Sequence, residues 1–145
     1  MKNTQKELSW FKLSLLHFLY ESHPELTEDA NLINSRGDLA AETYSEAISN
    51  GYNHYEAEEL AHEVLYKGLH FSKHDTLVTI IWNEFSGKID MGVAKEYAIR
   101  ILPKMEPIFS KYPLNDEFAF STDFNGLYSE LTGTLSIYLE ENELQ

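Results

Sequence analysis

The apolar residues of this chain recur at intervals of three and four along nearly its whole length, and this spacing constrains the fold more than any other feature. Ala57, Leu60, Ala61, Val64 and Leu65 follow i, i+3, i+4, i+7, i+8. Val93, Ala94, Tyr97, Ala98, Ile101 and Leu102 repeat as pairs at i+4. Such a pattern places the apolar side chains on one face of a helix. No stretch alternates with period two for long enough to argue a strand. The expectation is an all-α fold, a single-domain bundle of about six helices over 1–145.

Punctuation residues set the expected boundaries. The first helix runs from about Lys6 to Tyr20 and stops before Pro24. Leu8, Phe11, Leu15, Phe18 and Leu19 form its main stripe, yet Trp10, Leu13, Leu16 and Tyr20 make it apolar around much of its circumference. A helix like that is usually buried centrally or at a subunit contact, so a homodimer is an open expectation. Thr27 is the expected cap of a second helix reaching Asn50, with Gly37 as a weak point where it could break. Its inner face would carry Gly37, Ala40, Ala41, Tyr44, Ala47 and Ile48. Asn53 caps the third, which ends near Gly68. The fifth starts after Asp90 and is expected to end or kink at Pro103, because the proline ring removes a donor and clashes with the preceding turn. Residues 103–121 then read as an irregular segment strapped over the core by Phe109, Tyr112, Phe118 and Phe120. The sixth begins near Ser121 or Thr122, and the last few residues are expected to fray.

The stretch HFSKHDTLVTIIWNEF, His70 to Phe85, admits two readings. His70 and His74 stand four apart, a spacing that zinc sites use on a continuous helix. The metalloprotease pattern also needs Glu directly after the first His, and Phe71 occupies that position. Ser72 with Asp75 three residues on instead resembles a capping box. A cap at Ser72 leaves His70 outside the helix and His74 inside it, and the capping reading is preferred. Glu59-Leu-Ala-His62 is a second metal-like pair, but di-iron bundles need two such pairs and two further glutamates. A hydrated surface of Glu58, Glu59 and His62 accounts for it more economically. No cofactor is expected.

Charge and composition exclude several functions. There is no cysteine, which removes disulfides, thiolate metal sites and cysteine nucleophiles and favours a cytoplasmic setting. The apolar stretch near the start is too short to span a bilayer and lacks a small-residue cleavage site after it, so no membrane association is expected. Net charge is −13, from 24 acidic and 11 basic residues, so direct nucleic-acid binding is not expected. Between Arg36 and Lys67 there are seven acids and no Lys or Arg: Asp38, Glu42, Glu46, Glu56, Glu58, Glu59 and Glu63. A solvated helix face explains such a run. The functional alternative is an acidic interaction face centred on Glu56, Glu58, Glu59 and Glu63. No G-x-S-x-G, Walker-type loop or G-x-G-x-x-G occurs, so the chain offers no recognisable catalytic template.

Three stretches together carry a family likeness: LSWFKLSLLHFLYESHPEL, NGYNHYEAEELAHEVLYKGLHFSKHDTLVTIIWNEF and LYSELTGTLSIYLEE. They resemble the Bacteroidetes family catalogued as domain of unknown function 1896, over nearly the whole chain. The resemblance implies a small stand-alone helical protein of the kind encoded in conjugative transposons and related mobile regions. It implies no activity, and no catalytic or binding residue can be carried over from it.

Three functions follow, in order of preference. The first is a non-enzymatic accessory protein that docks onto another protein, with service to a mobile element as the setting the resemblance implies. The second is a metal-dependent enzyme using Glu59 and His62, with His70 or His74. The third is a DNA mimic, whose acids between residues 38 and 63 would imitate phosphates.

Overall fold

The computed structural model describes residues 2–143, with side chains from Leu8 to Asn142. Six α-helices carry the chain: α1 Lys2–Ser22, α2 Ala30–Ser49, α3 His54–Leu65, α4 Lys73–Glu84, α5 Ala94–Phe109 and α6 Asp123–Glu143. Short 3₁₀ turns stand at Pro24–Leu26, Met91–Val93 and Phe118–Phe120, and no strand occurs among the described residues. The all-α class and its six helices are therefore as expected. The fraying expected of the last residues falls outside the described ones. Backbone contacts gather the helices into two compact units, one ending at Leu69 and one starting at His70.

In the first unit α1 packs on α2 and α2 on α3. Phe11, Leu15 and Leu19, four residues apart, form the buried ridge of α1 against Ala40, Ala41, Ala61 and Leu65. The alanines let the α2 and α3 backbones approach, and the long side chains of α1 fill the space above them. Asn53 caps α3 through a full capping box: Glu56 N donates to Asn53 Oδ1 at 2.9 Å and Asn53 N to Glu56 Oε1 at 3.0 Å. At the other end Arg36 donates to the carbonyls of Val64 and Leu65, at 3.4 and 3.2 Å, where the helix dipole favours a cation. Gly51 and Gly68 follow α2 and α3 at φ of 94° and 80°, a region glycine enters without a Cβ penalty.

Three expectations for this unit are corrected. Asp29, not Thr27, caps α2: its side chain accepts from Leu32 N, while Thr27 Oγ1 donates to Pro24 O within the preceding 3₁₀ turn. Gly37 does not break the helix. It is buried, and an added Cβ would meet Lys12 Cγ at 2.4 Å, so the absent side chain makes room for the Lys12 stem. Ile48, expected inside, is exposed.

In the second unit α4, α5 and α6 pack against one another. Leu77, Ile80 and Ile81 of α4, Ile101, Leu102 and Met105 of α5, and Leu127, Leu131, Leu135 and Leu139 of α6 form its core. Ser72 caps α4, accepting from Asp75 N at 2.9 Å. The expected helix end at Pro103, with an irregular segment from there on, is corrected here. α5 continues through Pro103 and Pro107 to Phe109, and the irregular stretch begins only at Ser110. Ile99, Pro103 and Pro107 lie four apart on one exposed line, so the carbonyls deprived of a donor face water instead of the core. Phe109 and Phe118 are buried as expected and Tyr112 partly so, but Phe120 is 90% exposed and straps nothing down.

Candidate functional site

The first helix is buried on one stripe only. Trp10, Leu13 and Tyr20 are 47%, 66% and 63% exposed, and with exposed His17 they make a second row spaced three, four, three. Trp10, Leu13 and His17 of that row line an open groove of about 610 Å³ between α1 and α3, with Glu21, Glu58 and His62 among the other lining residues. The side chains bridging the two helices are mostly rings. His62 lies 5.5 Å from Trp10, 6.1 Å from Phe11 and 5.8 Å from Tyr66, and Tyr66 sits 4.9 Å from Phe18, all between ring centroids. Burial raises the Tyr66 phenol above its ordinary value. No Lys or Arg lines the groove. The arrangement offers apolar and aromatic surface with carboxylates beside it.

This geometry separates the four glutamates of the expected acidic face. Glu56, Glu59 and Glu63 are exposed and follow i, i+3, i+7 on α3, while Glu58 turns toward the groove. Glu56 already accepts from Asn53 N. Glu58 Oε2 lies 3.0 Å from His54 Nε2, and His54 Nδ1 lies 2.6 Å from the Tyr44 hydroxyl. A carboxylate accepts, so Nε2–H donates to Glu58, while Nδ1 is held by the Tyr44 hydroxyl. This Tyr–His–Glu line ties α2 to the start of α3. The i, i+4 spacing of His54 and Glu58 was visible in sequence, but Tyr44 as the third member was not.

The metal candidates are dispersed. His62 is half-buried among rings, which corrects the hydrated surface expected for it, and Glu59 is exposed. His74 is buried, and its Nε2 donates to Lys95 O at 3.0 Å, with Asp75 Oδ1 3.5 Å from its Nδ1. His70 stands outside α4; its backbone N donates to Asp116 Oδ1 at 3.0 Å and its Nδ1 lies 3.8 Å from Asp116 Oδ2. Among the described residues no group of three or more His, Asp or Glu side chains converges as a metal ion requires. His23, like His74, is a core histidine: its Nε2 donates to Leu69 O at 2.7 Å.

The second unit has a smaller cleft of about 190 Å³ at the start of α4, lined by His70, Phe71, Asp75, Thr79, Phe124 and Tyr128 among others. Nearby, Lys111 and the Tyr112 hydroxyl both donate to Glu130. These bonds, Lys111 first, hold the Glu130 carboxyl below the usual carboxylate range, and the same contact raises the Tyr112 phenol.

Fold and groove define an acidic all-α protein with an exposed, partly aromatic helix face, and no helix among the described residues is long and apolar enough to cross a membrane. A family model described as Domain of unknown function (DUF1896) matches residues 3–144, and the chain belongs to that family. The crystal structure of protein PG0816 from Porphyromonas gingivalis is similar throughout: 39% identity, a TM-score of 0.94, and coverage of 100% of this chain and 99% of that one. No curated protein matches.

Proposed function

We propose that this protein is a non-enzymatic accessory protein whose α1/α3 groove receives a basic amphipathic helix from a partner protein. The observation that carries the reading is the exposed row Trp10, Leu13, His17 and Tyr20 of α1, whose first three members line a ring-rich groove. A helix supplies apolar anchors at i, i+3, i+4 and i+7, which suits a row spaced three, four, three. Tryptophan and tyrosine dominate the energetics of such contacts because they bring large, rigid area with little entropy loss. Glu21 and Glu58 in the groove, with exposed Glu59 and Glu63 on α3, favour lysine or arginine on the incoming helix. A second copy of the chain is the less favoured occupant, since each copy carries a net charge of −13. Service to a mobile genetic element is the setting that the family resemblance suggests.

Trp10 and Trp82 are the chain's two tryptophans, so Trp82→Phe leaves a single tryptophan, in the groove. Two synthetic helices with the same leucine pattern, one flanked by lysines and one by glutamates, are titrated against that variant. The basic peptide is expected to shift Trp10 emission saturably, with binding that weakens as salt rises and falls about tenfold or more in Leu13→Ala. Equal effects from both peptides, or none from either, would refute the proposal.

DNA mimicry is a second reading, favoured by Asp38, Glu42 and Glu46 lying four apart on one exposed line of α2. Lys12 Nζ stands 3.8 Å from Asp38 and offsets part of that charge. Competition with duplex DNA for a basic partner, lost on Glu42→Gln with Glu46→Gln, is its test. The metal-dependent alternative draws no support from the placement of Glu59, His62, His70 and His74.

A further inference from the structure

From the cleft at the start of α4 we infer a binding site for a small quaternary alkylammonium group, separate from the α1/α3 groove and independent of its role. The cleft has the volume of about six waters, taking ~30 Å³ for each. That matches a headgroup of choline size. Three of its walls are aromatic: Phe71, Phe124 and Tyr128. Their rings are inclined to one another, Phe71 to Phe124 at 74° and Phe124 to Tyr128 at 53°, each pair 6.3 Å between centroids. Rings at this spacing touch one another edge to face, so a ligand would rest against them from the cleft and not between them, and the negative face of an aromatic ring attracts a cation.

The polar groups fit the same ligand. Asp75, more than half exposed, lines the cleft, and no lysine or arginine does. The Tyr128 hydroxyl donates to Glu84 Oε1 at 3.2 Å, which draws a second carboxylate to the outer edge of that ring. Two hydroxyl-bearing residues of the lining have structural bonds: Ser72 Oγ accepts from Asp75 N, and Thr76 Oγ1 donates to Ser72 O at 2.8 Å. The cleft thus combines π faces and a carboxylate, the pairing that recognises a cation without hydrogen-bond donors.

The test uses the full chain, labelled with ¹⁵N, and two probes of equal shape: choline and its neutral isostere 3,3-dimethylbutan-1-ol. Choline is expected to move the amide resonances of residues 70–79 and 124–128 saturably, at least about fivefold more tightly than the isostere. Asp75→Asn and Tyr128→Leu, each with an otherwise unchanged amide spectrum, are expected to weaken choline binding severalfold and leave the isostere unaffected. Asp75→Asn keeps the backbone N–H that Ser72 accepts, so it tests charge without removing the cap. Comparing glycerophosphocholine with Nε-trimethyllysine amide then distinguishes a lipid-type headgroup from a methylated side chain as the source. Equal binding of both probes, resonance changes confined to other residues, or no response to choline would each overturn the inference.

Discussion

Replacing Ser72 by alanine isolates the bond on which the reading of His70 to Phe85 turns. Ser72 is buried and its hydroxyl accepts the Asp75 amide at 2.9 Å. Loss of a side-chain cap costs about 0.5 to 2 kcal/mol, and a partly buried donor that water reaches poorly belongs in the upper half of that range, about 1.5 kcal/mol. The Thr76 hydroxyl bonds the Ser72 backbone carbonyl and survives the change. With a urea slope of about 1 to 2 kcal/mol/M for a small domain, the unfolding midpoint falls by about 1 M. Trp82 lies within α4, so a Trp10→Phe background lets fluorescence report on that unit alone. Ser72→Thr keeps an acceptor in the same extended backbone and is expected to recover most of the loss. An unchanged midpoint in the alanine variant, or a threonine variant as unstable as the alanine one, would refute the capping account.

Other substitutions probe the packing and the charges. Pro103→Ala restores a helical donor at an exposed position and is expected to stabilise the protein by about 1 to 2 kcal/mol, read as a higher melting temperature. Leu131→Ala empties a fully buried site in α6 and is expected to cost about 3 to 4 kcal/mol, followed by Trp82 fluorescence in urea. Glu130 has a lowered folded pKa, so its contribution is present above the ordinary carboxylate value of about 4.5 and is lost as pH falls through the lowered one. The advantage of wild type over Glu130→Gln is therefore expected to be steady from about pH 6 to 8 and to shrink below about pH 4, measured by denaturation at each pH.

The caps and stripes could be read from sequence because they depend on neighbours within one turn. Ser72 was identified by Asp75 three positions on, Asn53 as a cap-forming residue ahead of an apolar stripe, and the buried rows of α3 and α5 by their period. Thr27 was misread because two acceptors, Thr27 and Asp29, stand two residues apart, and Pro24 nucleates a 3₁₀ turn that holds the first of them. Pro103 was misread because the cost of a helical proline depends on which way its orphaned carbonyl faces, and that is settled by tertiary packing. The candidate sites were less legible. That α1 is apolar on much of its circumference was evident, but which side would be left uncovered was not. His62 among Trp10, Phe11 and Tyr66, and the ring-walled cleft of Phe71, Phe124 and Tyr128, join residues from segments distant in sequence, and local spacing carries no trace of such encounters.

The claim of a docking groove is tested most directly by a photo-crosslinking residue placed at position 13 in the native host, with the same residue at exposed position 137 of α6 as control. The expected result is one protein captured through position 13 and not 137, by a segment that is an amphipathic helix rich in lysine and arginine, with the product lost in Trp10→Ala. Capture of a second copy of this chain, capture through a segment without basic residues, or equal yields at both positions would contradict it.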